Sequence, residues 1–491
     1  MAFFPASRPS GGAVIGGNAS DSILIGRELL DDGLAGDKIM YSGDLHPVTF
    51  GQSGVGKGMG LLVPNLLSIV GKSIVVIDPK GQLAAMTAKF RHEAGDDVKI
   101  IDPFGVLAEV VNNDPQNRWG YLKRHGLVDS VGFNPLAALD PDSDSFYDDA
   151  AVISEALIKI PAHDPHWAES AQGLVTGLVM WERMDRGKDA DLGNVRRLLT
   201  EADGYDEAGN LVRGLRVTAA KMVARGERDD GFEIASLAGR FASEHTSDEM
   251  ESVRSTATTQ TSWLLSRLMR EDLKKDGFDF RNLKAGKKAT TVYVILPAKY
   301  LETHSVWLRL VVSEALRASL TAGGRRVLLM LDEFAALGHL SIIQKMFGVT
   351  RDYRVQIWPV FQDLPQLKGL YPERWETLLG MAGVVQSFRT GDLTTADWLS
   401  KRAGNTTAHA TGYNSGRGRS DGRSSTNSGT SRQPTARPTI FAQDLSGLPD
   451  GHTLAWFAGE RKPARVFTPH YKQVKAFVAR ALPNPYYTGG D

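Results

Sequence analysis

Short apolar runs recur towards both ends of this chain and vanish from its middle, and that distribution constrains the fold more than any single motif. SIVVIDP (73–79), VKIIDPF (98–104), TTVYVILP (290–297), VLLMLDE (327–333), VQIWPVFQD (355–363) and VVQSFRT (384–390) each read as a strand. So does YSGDLHPVTFG (41–51). Between them lie helical stretches: GKGMGLLVPNLLSIV (56–70), GQLAAMTAKFRHEA (81–94), SVWLRLVVSEALRASL (305–320) and IIQKMFGVTRD (342–352). Strands apolar on both faces, alternating with helices, predict an α/β fold with a mainly parallel sheet covered by helices. From about 140 to 290 the rhythm is helical throughout. In WAESAQGLVTGLVMWERM, Ala171, Leu174, Val175, Leu178 and Val179 fall at helix spacing. Two αβ halves therefore close one sheet around a helical insertion.

The expected boundaries are an N-terminal extension (1–37), a first part of the α/β domain (38–139), the insertion (140–290), a second part (291–480) and a tail (481–491). Within the second part, 404–439 is Gly/Ser/Thr/Arg-rich without periodicity and predicts a flexible loop. From Lys401 to Arg437 it holds seven Lys/Arg and one acid, which suits either a solubilising linker or a nucleic-acid contact. No internal repeat emerges.

Composition narrows the chemistry. The 491 residues include no cysteine, which excludes disulfides, thiolate metal sites and cysteine nucleophiles. No stretch is apolar over the ~18 residues a membrane-spanning helix needs, and MAFFPASRPSGG is not a secretory leader. The expected location is the cytoplasm. Net charge is zero, 57 basic against 57 acidic, but 139–253 holds 24 Asp/Glu against 12 Lys/Arg and the remainder compensates. The acidic insertion and the basic remainder predict two surfaces with different partners.

GQSGVGKGMG, from Gly51, has the spacing of a phosphate-binding loop: Gly51, four residues, then Gly56 and Lys57. Its placement between a strand and a helix lets the backbone N–H groups of Gly51, Gln52, Ser53, Gly54, Val55, Gly56, Lys57 and Gly58 converge on phosphate, with Lys57 reaching the outer phosphates. Gly58 stands where such loops carry a magnesium-holding hydroxyl, which leaves Ser53, water and Asp332 for the ion. Asp78 sits about 20 residues on, as in dinucleotide folds, but the Gly-x-Gly-x-x-Gly spacing is absent. VLLMLDEF supplies the acids: Asp332 for Mg2+, Glu333 for the attacking water. The alternative for Asp332–Glu333 is a plain helix cap. His163, His166 and Trp167 fall together, without a third metal ligand at compatible spacing.

The run YSGDLHPVTFGQSGVGKGMGLLVPNLL, with VVIDPKGQL, IIDPFG, GFNPL, LLMLDEFAALG, TRDYRVQIWPVFQDLPQLKGLY and VVQSFRTGDLTTADWLSKRAGNTT, resembles the type IV secretion coupling proteins of the TraG/TraD type. The likeness covers most of 38–160 and 325–475, and GKG in the loop is a variant of that group. It implies a RecA-like P-loop NTPase domain with an inserted all-α cargo-recognition domain, forming a hexameric ring at a type IV secretion channel of the inner membrane. It further implies ATP and Mg2+, and delivery of a relaxase with its single-stranded DNA, or of protein effectors. By position, Gln362 matches the family's γ-phosphate sensor and Arg351 an arginine acting on a neighbour's nucleotide; Arg389 is a second candidate. The acidity of the insertion points to basic protein partners. Family members usually begin with transmembrane helices; this sequence predicts none, so a soluble member or peripheral attachment at the cytoplasmic face is expected. The competing expectations are a nucleotide-binding cargo receptor with little hydrolysis and a DNA translocase unrelated to secretion.

Overall fold

In the computed structural model, residues 13–15, 20–161, 164–227, 231–243, 247–420 and 423–486 are described. In chain order the strands begin with β1 (Ala13–Ile15), β2 (Ile23–Leu29), β3 (Ala35–Tyr41), β4 (His46–Phe50), β5 (Ser73–Ile77) and β6 (Asp97–Ile101). The pair β7 (Gly204–Tyr205) and β8 (Leu211–Arg213) is a small hairpin among the central helices. There follow β9 (Thr290–Val294), β10 (Val327–Leu331), β11 (Val355–Phe361) and β12 (Ala382–Ser387). The last are β13 (Asn405–Ser420), β14 (Arg423–Pro438), β15 (His452–Phe457) and β16 (Ala464–Phe467).

The chain divides into two compact units, 1–64 with 361–473, and 65–360 with 474–491. In the second unit β6, β9, β5, β10 and β11 lie side by side and all run parallel. β5, β9, β10 and β11 are buried along their whole length, which is why their sequences read as nearly unbroken apolar runs. Helix Ser305–Ser319 packs in the same unit and buries Trp307, Leu308, Val311, Val312, Ala315 and Leu316.

In the first unit the order is β1-β3-β2-β16-β15-β12-β4. Only β12 and β4 are parallel there; the other pairs are antiparallel. The hairpins β2–β3 and β15–β16 have connections too short for a parallel crossover, so antiparallel pairing follows. Residues 23–37, expected in an extension, are thus built into this sheet, where Glu28 and Arg27 face Val466 and Phe467 from the far end of the chain. The run expected as one strand over 41–51 is interrupted between Tyr41 and His46.

Residues 404–439 depart from the expected loop. Asn405 pairs with Pro438, and the antiparallel register continues unbroken to Ser420 opposite Arg423. Among the ribbon's described side chains Thr406, Thr407, Tyr413 and Arg432 are exposed, so no alternation of apolar and polar residues marks them. The backbone ladder holds it.

The second unit also contains the helical insertion, with helices Phe146–Leu157, His166–Arg186, Leu192–Thr200, Leu215–Gly226, Phe232–Ala238, Asp248–Gln260 and Arg267–Leu273. Helix His166–Arg186 buries Ala171, Leu174, Val175, Leu178 and Val179, the stripe its periodicity predicts. His166 Nε2 lies 3.3 Å from Glu249 Oε1 and its ring meets the edge of Trp167; His163 lies outside the described residues. Among the described residues no helix is long and apolar enough to cross a membrane.

Candidate nucleotide site

The glycine loop belongs to the first unit. β4, buried throughout, runs straight into Gly51, whose N–H donates to Phe361 O at 3.1 Å. Phe50 stacks on Phe361 with centroids 5.8 Å apart. A Cβ on Gly51 would sit 2.9 Å from Phe388 Cβ and 3.0 Å from Val55 Cγ2, so the chain can pass here only as glycine. Gly54 and Gly56 have φ of 83° and 97°, the left-handed region that turns successive N–H groups toward one side. The Lys57 ammonium folds back and donates to Gly51 O, closing the loop on itself. Val55 is buried and pins the loop, while Gln52, Ser53 and Gly54 face solvent.

A wide helical turn, Lys57–Leu62, leads into helix Val63–Leu66; Val63 N–H donates five residues back to Gly58 O. The helix expected over 56–70 is therefore shorter and looser at its start. A Cβ on Gly58 would meet nothing within 4 Å. The missing hydroxyl reflects no lack of room.

Gln362 follows Phe361 directly, so the same strand end that receives Gly51 also fixes Gln362. Its N–H donates to Gln366 Oε1 at 2.8 Å, and Asp363 caps helix Leu364–Leu370 through Gln366 N–H at 3.0 Å. The first unit thus brings Gln362 to the loop. Arg389 lies on its surface, 3.4 Å from Asp450 Oδ1, with both side chains well exposed, which is the arrangement of a surface charge.

The acids belong to the second unit. β10 and β5 pair with Leu331 beside Ile77, so Asp332 and Asp78 leave adjacent strands at the same end. Asp78 is 2% exposed; its carboxylate accepts Gln82 N–H at 3.1 Å and Ala84 N–H at 2.8 Å, fixing the start of helix Gln82–Glu93. Burial pushes its pKa up to about 7; the Ala84 N–H opposes that rise and the charge of Asp332 adds to it. Glu333 sits at φ 57° and ψ 46°, strained for a residue with a Cβ. Its N–H donates to Asp332 Oδ1 at 3.1 Å, and its own side chain makes no cap bond to the following turn.

Arg351 also lies in the second unit, but elsewhere. It is exposed, four residues ahead of β11, whose Val355 pairs with Val327 at the start of β10. Asp332 follows the other end of β10, so a five-residue strand, roughly 16 Å long, separates the two levels. Within this unit Arg351 does not reach the carboxylates.

A feature missed in the sequence is a turn used twice. IDPKGQL follows β5 and IDPFGVL follows β6. In both, the aspartate takes backbone N–H groups of the next helix, Asp102 Oδ2 accepting Leu107 N–H at 2.8 Å as Asp78 does Ala84. The spelling I-D-P-x-G was the available signal.

Residues 18–115 and 127–485 match the family described as Type IV secretory system Conjugative DNA transfer. Among the solved structures that resemble the chain are two of the plasmid coupling protein TrwB. One, in complex with the ATP analogue ADPNP, has TM-score 0.61 at 16% identity and covers 87% of this chain and 86% of its own. The other, with ADP and Mg2+, has TM-score 0.61 at 15% identity and covers 93% and 97%. The fold is thus the one these structures share, a mainly parallel sheet flanked by helices with an inserted all-α part, as the strand and helix rhythm led us to expect. The protein belongs to the type IV secretion conjugative DNA transfer family, the coupling-protein family. Curated relatives include the conjugal transfer protein TraG of Rhizobium radiobacter, 26% identical over 76% of this chain and 54% of its own length. The coupling protein VirD4 of Bartonella quintana is 25% identical over 76% and 55%. The chain spans about half the length of these curated relatives.

Proposed function

We propose that this chain is an ATP-hydrolysing motor that delivers a relaxase with its single-stranded DNA, or protein effectors, to a type IV secretion channel. The observation that carries the reading is the Gly51–Gly58 loop, glycine-turned and lysine-closed, anchored on the residue next to Gln362. In this reading the loop N–H groups hold the phosphates of ATP, and Lys57 exchanges Gly51 O for the outer phosphate oxygens. Asp332 holds Mg2+ together with water and Ser53, and Mg2+ supplies charge compensation at the phosphates. Asp332, half-buried at the end of β10, is an oxygen donor of the kind Mg2+ takes. Glu333 orients and deprotonates the attacking water, and Gln362 senses the γ-phosphate. Arg351, remote from the acids of its own unit, serves a neighbouring subunit's nucleotide in a hexameric ring. The acidic insertion recruits basic protein partners, and the assembly works at the cytoplasmic face of the inner membrane.

The test is ATP turnover with and without single-stranded DNA, beside Lys57→Ala. We expect turnover that rises with DNA and a loss of at least about a hundredfold in the variant. Equal rates for the two proteins would overturn the motor and leave a nucleotide-gated receptor.

A further inference from the structure

The helical insertion is acidic in sum, yet one side of it carries a cleft of the opposite sign. The cleft encloses about 470 Å³ and is lined by Arg186, Arg196, Arg197, Arg270 and Lys274, with Asp191 the acid in its wall. That carboxylate is 7% exposed and already accepts Asn194 N–H at 2.9 Å as the cap of helix Leu192–Thr200. The five cations divide into two sets. Arg186, Arg197 and Lys274 reach Glu182, Glu201 and Glu271 at 3.4, 3.2 and 3.2 Å. These pairs are open to solvent on the cationic side and exchange readily for another anion.

Arg196 and Arg270 are held differently. Arg270 Nη1 donates to Leu264 O at 2.8 Å and Leu265 O at 2.7 Å. Arg196 Nη1 donates to Thr258 O and, at 2.6 Å, to Thr261 Oγ1, while its Nε is buried without a hydrogen-bond partner. Both are half-buried, and among the described residues neither has a carboxylate partner. Carbonyl oxygens fix a guanidinium in place but leave its charge uncompensated, which an arriving anion corrects. Beside them the wall turns apolar at Leu264 and Leu265, and Leu265 is 66% exposed.

We propose that this cleft binds a short acidic peptide segment of a partner protein, its carboxylates on Arg270 and Arg196 and an apolar side chain on Leu265. The volume suits a few residues, not a polymer. A nucleic-acid strand would carry charge past the cleft onto the surrounding insertion, where 24 acids face 12 bases over 139–253 and repel it. A short peptide keeps its few carboxylates inside. The site is independent of whether the chain hydrolyses ATP.

The experiment is fluorescence anisotropy of a short labelled peptide of alternating Glu and Leu, titrated with the full chain, wild type and Arg270→Gln/Lys274→Gln. Lys274→Gln alone, at an exposed side chain, serves as a second variant, and urea melts check that all three proteins are folded. Expected are saturable binding and loss of about tenfold in affinity for the double variant, with a smaller loss for the single one. Absent binding, affinity unchanged in both variants, or displacement by a single-stranded oligonucleotide as effective as by unlabelled peptide would each overturn the assignment.

Discussion

The two compact units handle charge by opposite means. In the first, the loop from Gly51 to Gly58 presents backbone: three open N–H-bearing residues, two left-handed glycines and one lysine. In the second, Asp78, Asp332 and Glu333 gather at strand ends as side chains, and burial pushes the pKa of Asp78 up to about 7. Elsewhere in that unit Asp102 and Asp272 are 3% and 2% exposed, each with one carboxylate oxygen lacking a partner, and linked by Ser130. In the proposed reading phosphate is met by dipoles that need no charge held in place, whereas carboxylates must be held against desolvation. The difference says where mutations should be absolute and where they should be graded by pH.

The largest effect that sharpens this contrast is expected at Glu333→Gln. The glycine loop is untouched, so binding of a fluorescent ATP analogue should stay within about threefold of wild type, while turnover falls by roughly two to three orders of magnitude. Equal losses in binding and turnover would break the division between a holding unit and a reacting one.

A smaller effect concerns pH. Burial raises the pKa of Asp272 above its unfolded value, with the Ser130 hydroxyl and Lys275 pulling the other way, and burial raises Asp102 likewise. A raised carboxylate binds its proton more tightly folded than unfolded. Its contribution is therefore complete below the unfolded pKa, about 4, and is lost as pH climbs through the folded one. Asp272→Asn should flatten the fall in urea midpoint between acid and neutral pH; parallel curves for the two proteins would show that the pair stays ionised.

The smallest expected effect is at Gly58→Ser. The site has room for a side chain, and φ there lies outside the left-handed region, so the fold should tolerate the change. A hydroxyl beside the loop should raise Mg2+ affinity by a few-fold, read from the Mg2+ dependence of turnover. A drop in affinity would mean that the opening at Gly58 serves something other than the ion.

Much of this was legible in the sequence, and the rest failed for identifiable reasons. β5, β9, β10 and β11 announced themselves because both of their faces are buried. The loop was legible because its function rests on glycine spacing. The strand Ile23–Leu29 was missed because it joins the sheet through Ala464–Phe467, from the far end of the chain, and no local signal reports that pairing; Ala35–Tyr41, its hairpin partner, was missed with it. The ribbon after Asn405 was missed because its Gly/Ser/Thr/Arg-rich sequence has no apolar period to show. The cationic cleft vanished in a charge average: Arg196 and Arg197 come from NVRRLLT, Arg270 from SRLMRED, and only folding sets them around one cavity.

The central claim is that each nucleotide is served by two copies of the chain, loop from one and Arg351 from the next. The most direct test mixes two inactive proteins, Lys57→Ala and Arg351→Ala, and follows ATP turnover with single-stranded DNA. A shared site predicts that activity absent from either alone returns in the mixture, because some junctions pair an intact loop with an intact arginine. No recovery at any ratio, with both variants shown to co-assemble, would contradict it.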